Sequence, residues 1–171
     1  MMEQREILTI GYGGRGTIEF LELLTRYQIE LLVDVRTVPY SGYYADFCKD
    51  ALSRKLTDNG IAYQWLKALG GRPDDDDCFV GGKLNASRCE KRDWYQRGIA
   101  RLKTLAREQR VAIMCSEKDP AHCHRSFVLG ATLAKDASFA MLHIDKAGEL
   151  KTQAALEGEI KPRQLDMQVL L

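Results

Sequence analysis

Apolar and polar positions divide most of the chain into short strand-like runs and longer stretches with helical spacing. Five runs have the length and composition of strands, at residues 7–10, 29–35, 61–66, 111–115 and 139–144. The second run is apolar on both faces apart from Glu30 and Asp34, which is typical of a strand covered by helices on both sides. We therefore predict a mainly parallel sheet of about five strands.

Helical spacing of apolar residues separates these strands, over residues 17–27, 47–59, 93–109 and about 119–135. Thr17 is placed to cap the first helix and Gly60 to end the second. Asp119 and Pro120 begin the last helix with a capping carboxylate and a proline at its first position. The alternation of strands and helices predicts a single-domain, three-layer α/β sandwich of Rossmann-like architecture.

Two segments lack this regular alternation. Residues 74–92 are a polar insertion that contains four consecutive aspartates, and we expect a solvated surface loop there. From residue 147 the chain is polar and only weakly helical. The expected division is an α/β domain over residues 1–146 and a C-terminal tail over residues 147–171.

Composition and charge narrow the classes of function. The 171 residues suit one domain, and 45% apolar with 29% charged residues is a globular composition. Because 25 Lys+Arg balance 24 Asp+Glu, nucleic acid is an expected partner only through a local patch. No apolar run reaches the ~20 residues of a membrane helix and no targeting segment is visible, so no membrane partner is expected. Five cysteines without framework spacing predict reduced thiols and a cytoplasmic location.

Arginines follow four of the predicted strands. In a parallel sheet these strand ends share one edge, where open α/β folds bind ligands. Guanidinium groups favour phosphate and carboxylate, so we predict a small anionic or nucleotide ligand there. The predicted ligand-binding residues are Gly11, Tyr12, Arg15, Arg36, Gly71, Arg72, Arg125 and Ser126. For Arg36, a structural ion pair with Asp34 is the alternative interpretation.

The densest chemistry follows the fourth predicted strand. Glu117 is a candidate general acid or base, and the imidazole of His124 is suited to proton transfer. Cys123 lies in the first turn of the predicted helix, where the helix dipole is expected to lower its pKa. With Cys115 and Asp34 at two strand ends, these residues form the predicted catalytic set.

The same residues give little reason to expect a metal or a cofactor. Their spacing matches no recognised zinc pattern, and adjacent Cys and His residues do not readily face one ion without a turn. The spacing Gly11-x-Gly13-x-x-Gly16 matches a dinucleotide fingerprint. However, Thr17 caps the helix beyond the third glycine, and the chain leaves no obvious room for a substrate domain. We therefore expect neither a metal nor a nicotinamide cofactor.

Five motifs occur in order along the chain: Thr9-Ile10-Gly11-Tyr12, Leu32-Val33-Asp34-Val35-Arg36, Leu69-Gly70-Gly71-Arg72, Met114-Cys115-Ser116-Glu117 and Cys123-His124-Arg125-Ser126. Over roughly residues 7–145 the chain resembles the domain-of-unknown-function family 488 (DUF488). Members often carry His where this chain has Tyr12, and Ser-Asn where it has Gly13-Gly14. The resemblance implies a compact α/β domain without a settled activity, for which nucleotide or nucleic-acid processing has been suspected.

Three functions are compatible with these residues. The leading hypothesis is an enzyme that acts on a phosphate-bearing substrate held by the arginines. The alternatives are a non-catalytic module that binds an anion or nucleotide, and a thiol-dependent redox or transfer enzyme that uses Cys115 or Cys123. The sequence does not indicate an oligomeric state.

Overall fold

A six-stranded sheet is the centre of the computed structural model, which describes residues 3–160. The strands of this region are β1 (Arg5–Gly11), β2 (Leu31–Asp34), β3 (Ala62–Trp65), β4 (Phe79–Val80), β5 (Lys83–Leu84), β6 (Val111–Cys115), β7 (Phe139–Ile144) and β8 (Leu150–Thr152). Its α-helices are α1 (Thr17–Arg26), α2 (Lys49–Asp58), α3 (Ala86–Cys89), α4 (Asp93–Glu108) and α5 (Ala131–Leu133), and residues 153–160 are also helical.

The main sheet has the strand order β3-β2-β6-β1-β7-β8. The first five strands are parallel, and β8 pairs antiparallel with β7. The fold is therefore the predicted α/β fold with a mostly parallel sheet. Strand β6 lies between β1 and β2. Its last residue, Cys115, pairs with Gly11 of β1, and the residue before it, Met114, pairs with Asp34 of β2.

Side chains of successive residues point to opposite faces of the sheet and build two separate cores. Val111 and Ile113 pack on the face covered by α4, whereas Ala112 and Met114 pack on the face covered by α1 and α2. All four side chains are fully buried, as expected for a central parallel strand. The predicted three-layer sandwich is confirmed.

The polar insertion contains more structure than predicted. β4 and β5 form an antiparallel hairpin, and the side chain of Asn85 caps α3 by accepting a hydrogen bond from the backbone of Arg88. Arg92 lies within 3.0 Å of Asp75 and 2.7 Å of Asp77, so part of the aspartate run is paired rather than only solvated. The expected solvated surface loop therefore contains a hairpin, a short helix and ion pairs.

The predicted helix over residues 119–135 is interrupted, because the chain is helical from residue 124 to Leu133 but not continuously from Asp119. Asp119 does cap a turn, since its carboxylate accepts from the Ala121 amide at 3.0 Å. That turn is a short 3-10 segment, and Cys123 after it has an extended backbone. A wide helical turn of the π type (Arg125–Gly130) and α5 follow. The extended residue separates the two helical pieces and turns the chain back toward the end of β6.

The ends of α1 and α2 and the C-terminal tail agree only in part with the prediction. Gly60 ends α2 with a φ of +72°, as predicted, whereas Gly16 rather than Thr17 occupies the cap position of α1. The described part of the tail continues the sheet through β8 and buries Gln153 and Leu156, and residues 161–171 lie outside the described residues. Within residues 3–160 no helix has both the length and the apolar character needed to cross a bilayer.

Candidate functional site

A cleft of about 550 Å³ opens at the carboxyl edge of the sheet. It lies between the loops that follow β1, β2, β3 and β6, which is the edge predicted from the strand ends. Eight of the predicted site residues line it: Tyr12, Arg36, Gly71, Arg72, Cys115, Glu117, Cys123 and His124. The cleft is therefore the place where the sequence motifs meet.

Two thiols and an imidazole lie together at the inner end of this cleft. The Nδ1 atom of His124 is 3.8 Å from the Sγ atom of Cys115 and 3.7 Å from that of Cys123. The three atoms all lie within 4.8 Å of one another, and all three residues are buried. Cys115 follows Ile113 by two positions, so its side chain points to the same face of the sheet, where the chain after the 3-10 turn brings the other two residues. We call this group the Cys–Cys–His cluster.

The orientation of His124 is fixed from behind. Its Nε2 atom lies 2.9 Å from the carbonyl oxygen of Leu69. A carbonyl oxygen only accepts, so Nε2 carries the hydrogen, and in the neutral ring the lone pair is on Nδ1, facing the two sulfurs. Gly71 packs against the ring, since a Cβ atom there would lie 2.9 Å from Nδ1. The predicted importance of Gly71 is therefore explained by the space it leaves for the imidazole.

The two thiols have opposite shifts in pKa. A hydrogen bond from Cys123 is the main cause that lowers the pKa of Cys115, and His124 and the charge of Arg125 lower it further against the effect of burial. Donating that bond raises the pKa of Cys123, and burial raises it further. The cluster thus favours a thiolate on Cys115 and a thiol on Cys123. The expectation that a helix dipole would lower the pKa of Cys123 is wrong, because Cys123 precedes the helical turn and donates a hydrogen bond to Cys115.

The cluster is also the group in residues 3–160 that offers three converging metal-ligand atoms. Zinc–sulfur bonds of about 2.3 Å and zinc–nitrogen bonds of about 2.0 Å place neighbouring tetrahedral ligands about 3.5–3.8 Å apart, close to the observed sulfur–nitrogen distances. The turn before Cys123 allows this residue and His124 to face one point, contrary to the argument from their adjacency. The same three atoms therefore suit thiol chemistry or a soft metal, and an experiment must separate the two.

Glu117 lies at the rim of the cleft. Its side chain is exposed, and its Oε1 atom accepts a hydrogen bond from the Asp119 amide at 3.1 Å. Its main-chain carbonyl accepts from Arg125 at 2.5 Å. The carboxylate is therefore held at the cleft mouth, within the same loop that begins at Cys115, and remains open to a ligand.

The four predicted arginines do not converge. Arg15 is buried against Glu19 at 2.7 Å and the carbonyls of Gly11 and Asp145, and it does not line the cleft. Arg125, which is fully buried, donates to Thr9 and to the carbonyls of Glu117 and Lys118. These two arginines tie loops together. Only the remaining two, Arg36 and Arg72, line the cleft.

Asp34 and Arg36 form the ion pair that was the alternative interpretation. Asp34 accepts from the Nε and Nη2 atoms of Arg36, the latter at 2.7 Å, and from the hydroxyl of Tyr63 at 2.6 Å. The guanidinium also donates to the carbonyl of Phe47 and lies 5.2 Å from the centre of the Tyr12 ring. Asp34 is fully buried and outside the cleft lining, so this placement gives it a structural role.

The other predicted ligand-binding residues serve the shape of the site. A side chain at Gly11 would overlap the carbonyl of Glu117, so this glycine lets the loop after β6 cross the end of β1. Tyr12 lines the cleft and stacks on Phe47, with ring centres 4.5 Å apart. Ser126 is buried and donates to the carbonyls of Pro120 and Cys123, which closes the turn before the cluster.

A buried polar network behind the cluster was missed by the sequence analysis. His143 bonds Thr9 at 2.8 Å and Gln153 at 2.7 Å, and Thr9 accepts from Arg125. The signal was present, because Thr9 and His143 are polar positions in otherwise apolar strands and pair with each other in the sheet. The network connects Arg125 to the chain after β8.

A three-layer α/β fold with a Cys–Cys–His cluster at the carboxyl edge of its sheet defines the class of this protein. The family model described as "Domain of unknown function DUF488" matches residues 17–132, which is more than half of the chain. The chain belongs to this family. The matched region includes the cluster and the Asp34–Arg36 pair, whereas Gly11 and Tyr12 precede it. No curated protein and no solved structure matches the chain.

Proposed function

We propose that this protein is a thiol-dependent enzyme in which Cys115 is the nucleophile. The observation that carries the proposal is the position of the Cys115 sulfur in the lining of a cleft, 3.8 Å from Nδ1 of His124 and within 4.8 Å of the Cys123 sulfur. A thiolate is the reactive form of cysteine, and hydrogen-bond donors and positive charge stabilise it. Such chemistry needs reduced thiols, in agreement with the expected cytoplasmic location.

Each neighbour of Cys115 has a role in this proposal. Nδ1 of His124 is placed to take the proton of Cys115, and the resulting imidazolium then stabilises the thiolate together with the Cys123 thiol. Glu117, at the rim of the cleft, is the general acid or base that exchanges a proton with the substrate. Arg125 acts through position, since it holds the carbonyl of Glu117 and so the loop that carries Cys115 and Glu117.

The cleft wall also provides groups that would bind an anionic substrate. Arg72 is exposed on the cleft wall, and Arg36 reaches it from the ion pair with Asp34. Tyr40 and Phe127, also exposed, add aromatic surface on which a nucleobase can stack. A phosphate-bearing or nucleotide substrate fits these groups. A module that only binds an anion would use Arg72 but leaves the buried Cys–Cys–His cluster without a role.

Alkylation of the reduced full-length protein tests the thiolate. The protein is exposed to iodoacetamide from pH 4 to 9, and the modified cysteines are identified by peptide mass spectrometry. We expect Cys115 to be modified at pH values well below the ordinary thiol range near 8.5. Cys115→Ser should abolish this low-pH reaction, and Cys48→Ser, which changes a half-buried cysteine away from the cluster, should leave it unchanged.

Two outcomes would overturn the proposal. One is that Cys115 reacts only when the pH approaches the ordinary range. The other is that Cys115 reacts only after a chelator has been added, because this would show that the cluster serves to bind a metal.

A further inference from the structure

The proposed function leaves one feature without a necessary role, which is the second thiol beside the nucleophile. Transfer of an acyl or phosphoryl group requires one cysteine and a base, and His124 already supplies the base. Cys123 is nevertheless held within 4.8 Å of Cys115 and is almost completely buried. A second buried thiol in contact with a reactive one is the arrangement that two-step thiol–disulfide exchange requires.

We propose that the substrate of this site is a disulfide, with Cys115 as the attacking thiol and Cys123 as the resolving thiol. This inference rests on the proposed function, because it needs Cys115 to be a nucleophile. It goes further in naming the bond that is attacked and the residue that completes the reaction.

The geometry assigns the two roles. Cys115 is 9% exposed, whereas Cys123 is 3% exposed. The more accessible sulfur meets the substrate first, and the deeper one acts after the substrate is attached. Cys115 ends a central strand of the sheet, whereas Cys123 lies in an extended link between two short helical turns. A disulfide requires the two sulfurs to approach to ~2.05 Å. We therefore expect the backbone around Cys123 to move more than the strand that holds Cys115.

The exchange balances in atoms and electrons. The Cys115 thiolate, whose proton is on Nδ1 of His124, attacks one sulfur of the substrate, forms a mixed disulfide and releases the other half as a thiolate, which takes the proton from the imidazolium and leaves Nδ1 free. Cys123 then gives its proton to Nδ1 of His124 and attacks the Cys115 sulfur, and the second half of the substrate leaves and takes that proton. The substrate disulfide is reduced to two thiols, the two cysteines are oxidised to a disulfide, and an external thiol reductant restores them.

A second pair of cysteines provides an internal control. Cys78 and Cys89 are both buried within the polar insertion, and burial, followed by the neighbouring Cys78, raises the pKa of Cys89. Neither residue lines the cleft. This pair is therefore close in space but has no access to the cleft, and it should exchange much more slowly with a disulfide reagent.

Oxidised glutathione tests the inference on the reduced full-length protein. Samples are quenched with acid at intervals, alkylated and mapped by mass spectrometry. In the wild type we expect an internal disulfide between Cys115 and Cys123, preceded by a short-lived glutathione adduct. Cys123→Ser should stop at the adduct on Cys115 and lengthen its lifetime at least about tenfold. Cys115→Ser should give neither product at the cluster.

The possible failures are distinguishable from one another. A glutathione adduct on Cys115 that persists equally in the wild type and in Cys123→Ser would overturn the inference but leave the nucleophile intact. A disulfide that maps to Cys78 and Cys89 in the wild type and in Cys115→Ser would also overturn it. Loss of low-pH alkylation of Cys115 would remove the proposed function itself. Cys123→Ala is the second variant if the serine variant does not fold, as judged by circular dichroism.

Discussion

The ends of β2 and β6 are neighbours in the sheet, yet their buried polar groups are satisfied in different ways. At the end of β2, the carboxylate of Asp34 accepts hydrogen bonds from the guanidinium of Arg36 and from the hydroxyl of Tyr63. At the end of β6, the Cys115 sulfur lies 3.8 Å from Nδ1 of His124 and within 4.8 Å of the Cys123 sulfur, and the residue lines a cleft. The first arrangement holds the fold, whereas the second leaves accessible the sulfur that we propose as the nucleophile.

The face of the sheet explains the difference. Cys115 follows Ile113 and points toward α4, where the chain from Cys123 onward supplies its partners. Asp34 follows Leu32 and points to the opposite face, where the neighbours come from β3 and the chain before α2. Two motifs that end at the same edge of the sheet therefore have different roles. Variants of Asp34 should change stability, and variants at the Cys–Cys–His cluster should change thiol reactivity.

The largest effect is expected on stability, from Asp34→Ala. Removing this carboxylate leaves a buried guanidinium on Arg36 without its counter-ion, which typically costs about 3–5 kcal/mol. Urea unfolding should show this loss. Tyr63→Phe, which removes one hydrogen bond to the carboxylate, should cost less, about 1.5–3 kcal/mol. Cys115→Ser should change stability by about 1 kcal/mol or less. Equal losses in Asp34→Ala and Cys115→Ser would contradict the division of roles.

The second-largest effect is a loss of stability at acidic pH, which arises from His143 in the buried polar network. Burial, together with the charge of Arg125, lowers the pKa of His143 to about 4. The unfolded chain takes up a proton near pH 6.5 while the folded one does not, so stability is full above about pH 6.5 and falls toward pH 4. The expected slope is about 1.4 kcal/mol per pH unit in this window. Unfolding measured at several pH values should give a flatter curve for His143→Gln, and identical curves would argue against this assignment.

The third effect concerns the reactivity of the cluster, from Gly71→Ala. The new Cβ atom would lie 2.9 Å from Nδ1 of His124, so the ring must move from its position beside the sulfurs. We expect the low-pH alkylation of Cys115 to slow at least about tenfold, which corresponds to about 1.4 kcal/mol. Gly42→Ala is the matched control, because no atom lies within 4 Å of a Cβ there. An unchanged rate in Gly71→Ala would show that the imidazole does not assist Cys115.

These contrasts also show what the sequence was able to predict. The bounds of 111–115 and 139–144 were predicted correctly, because continuous apolar runs between polar residues leave little choice. β8 was missed because Leu150–Thr152 has three residues and no apolar pattern. The helix predicted after residue 119 is interrupted because a capping residue marks where a helical turn begins, and no pattern marks Cys123 as the extended residue that ends this turn.

The candidate site was predicted in location but not in its internal contacts. Strand ends placed Cys115 and the arginines at one edge, and the cleft is there. Which acceptors each guanidinium finds depends on tertiary packing, and Arg125 bonds main-chain carbonyls that no pattern marks. For Arg15 a signal existed, since Glu19 lies four residues on in a helix and pairs with it. The face of Cys115 was also available from its distance of two residues from Ile113.

The smallest effect is expected from Arg72→Ala, on the preference of Cys115 for an anionic over a neutral reagent. Arg72 is exposed, so stability should change by less than about 0.5 kcal/mol. If Arg72 attracts an anionic substrate toward Cys115, the variant should lose reactivity with iodoacetate and keep it with neutral iodoacetamide. An exposed charge pair contributes about 0.2–1 kcal/mol, so the ratio of the two rates should fall about 1.4- to 5-fold. The difference should shrink in 1 M salt, where charges are screened beyond about 3 Å. Arg54→Ala, on the exposed side of α2, should leave the ratio unchanged, and an equal change in both variants would assign the effect to net charge rather than to the cleft.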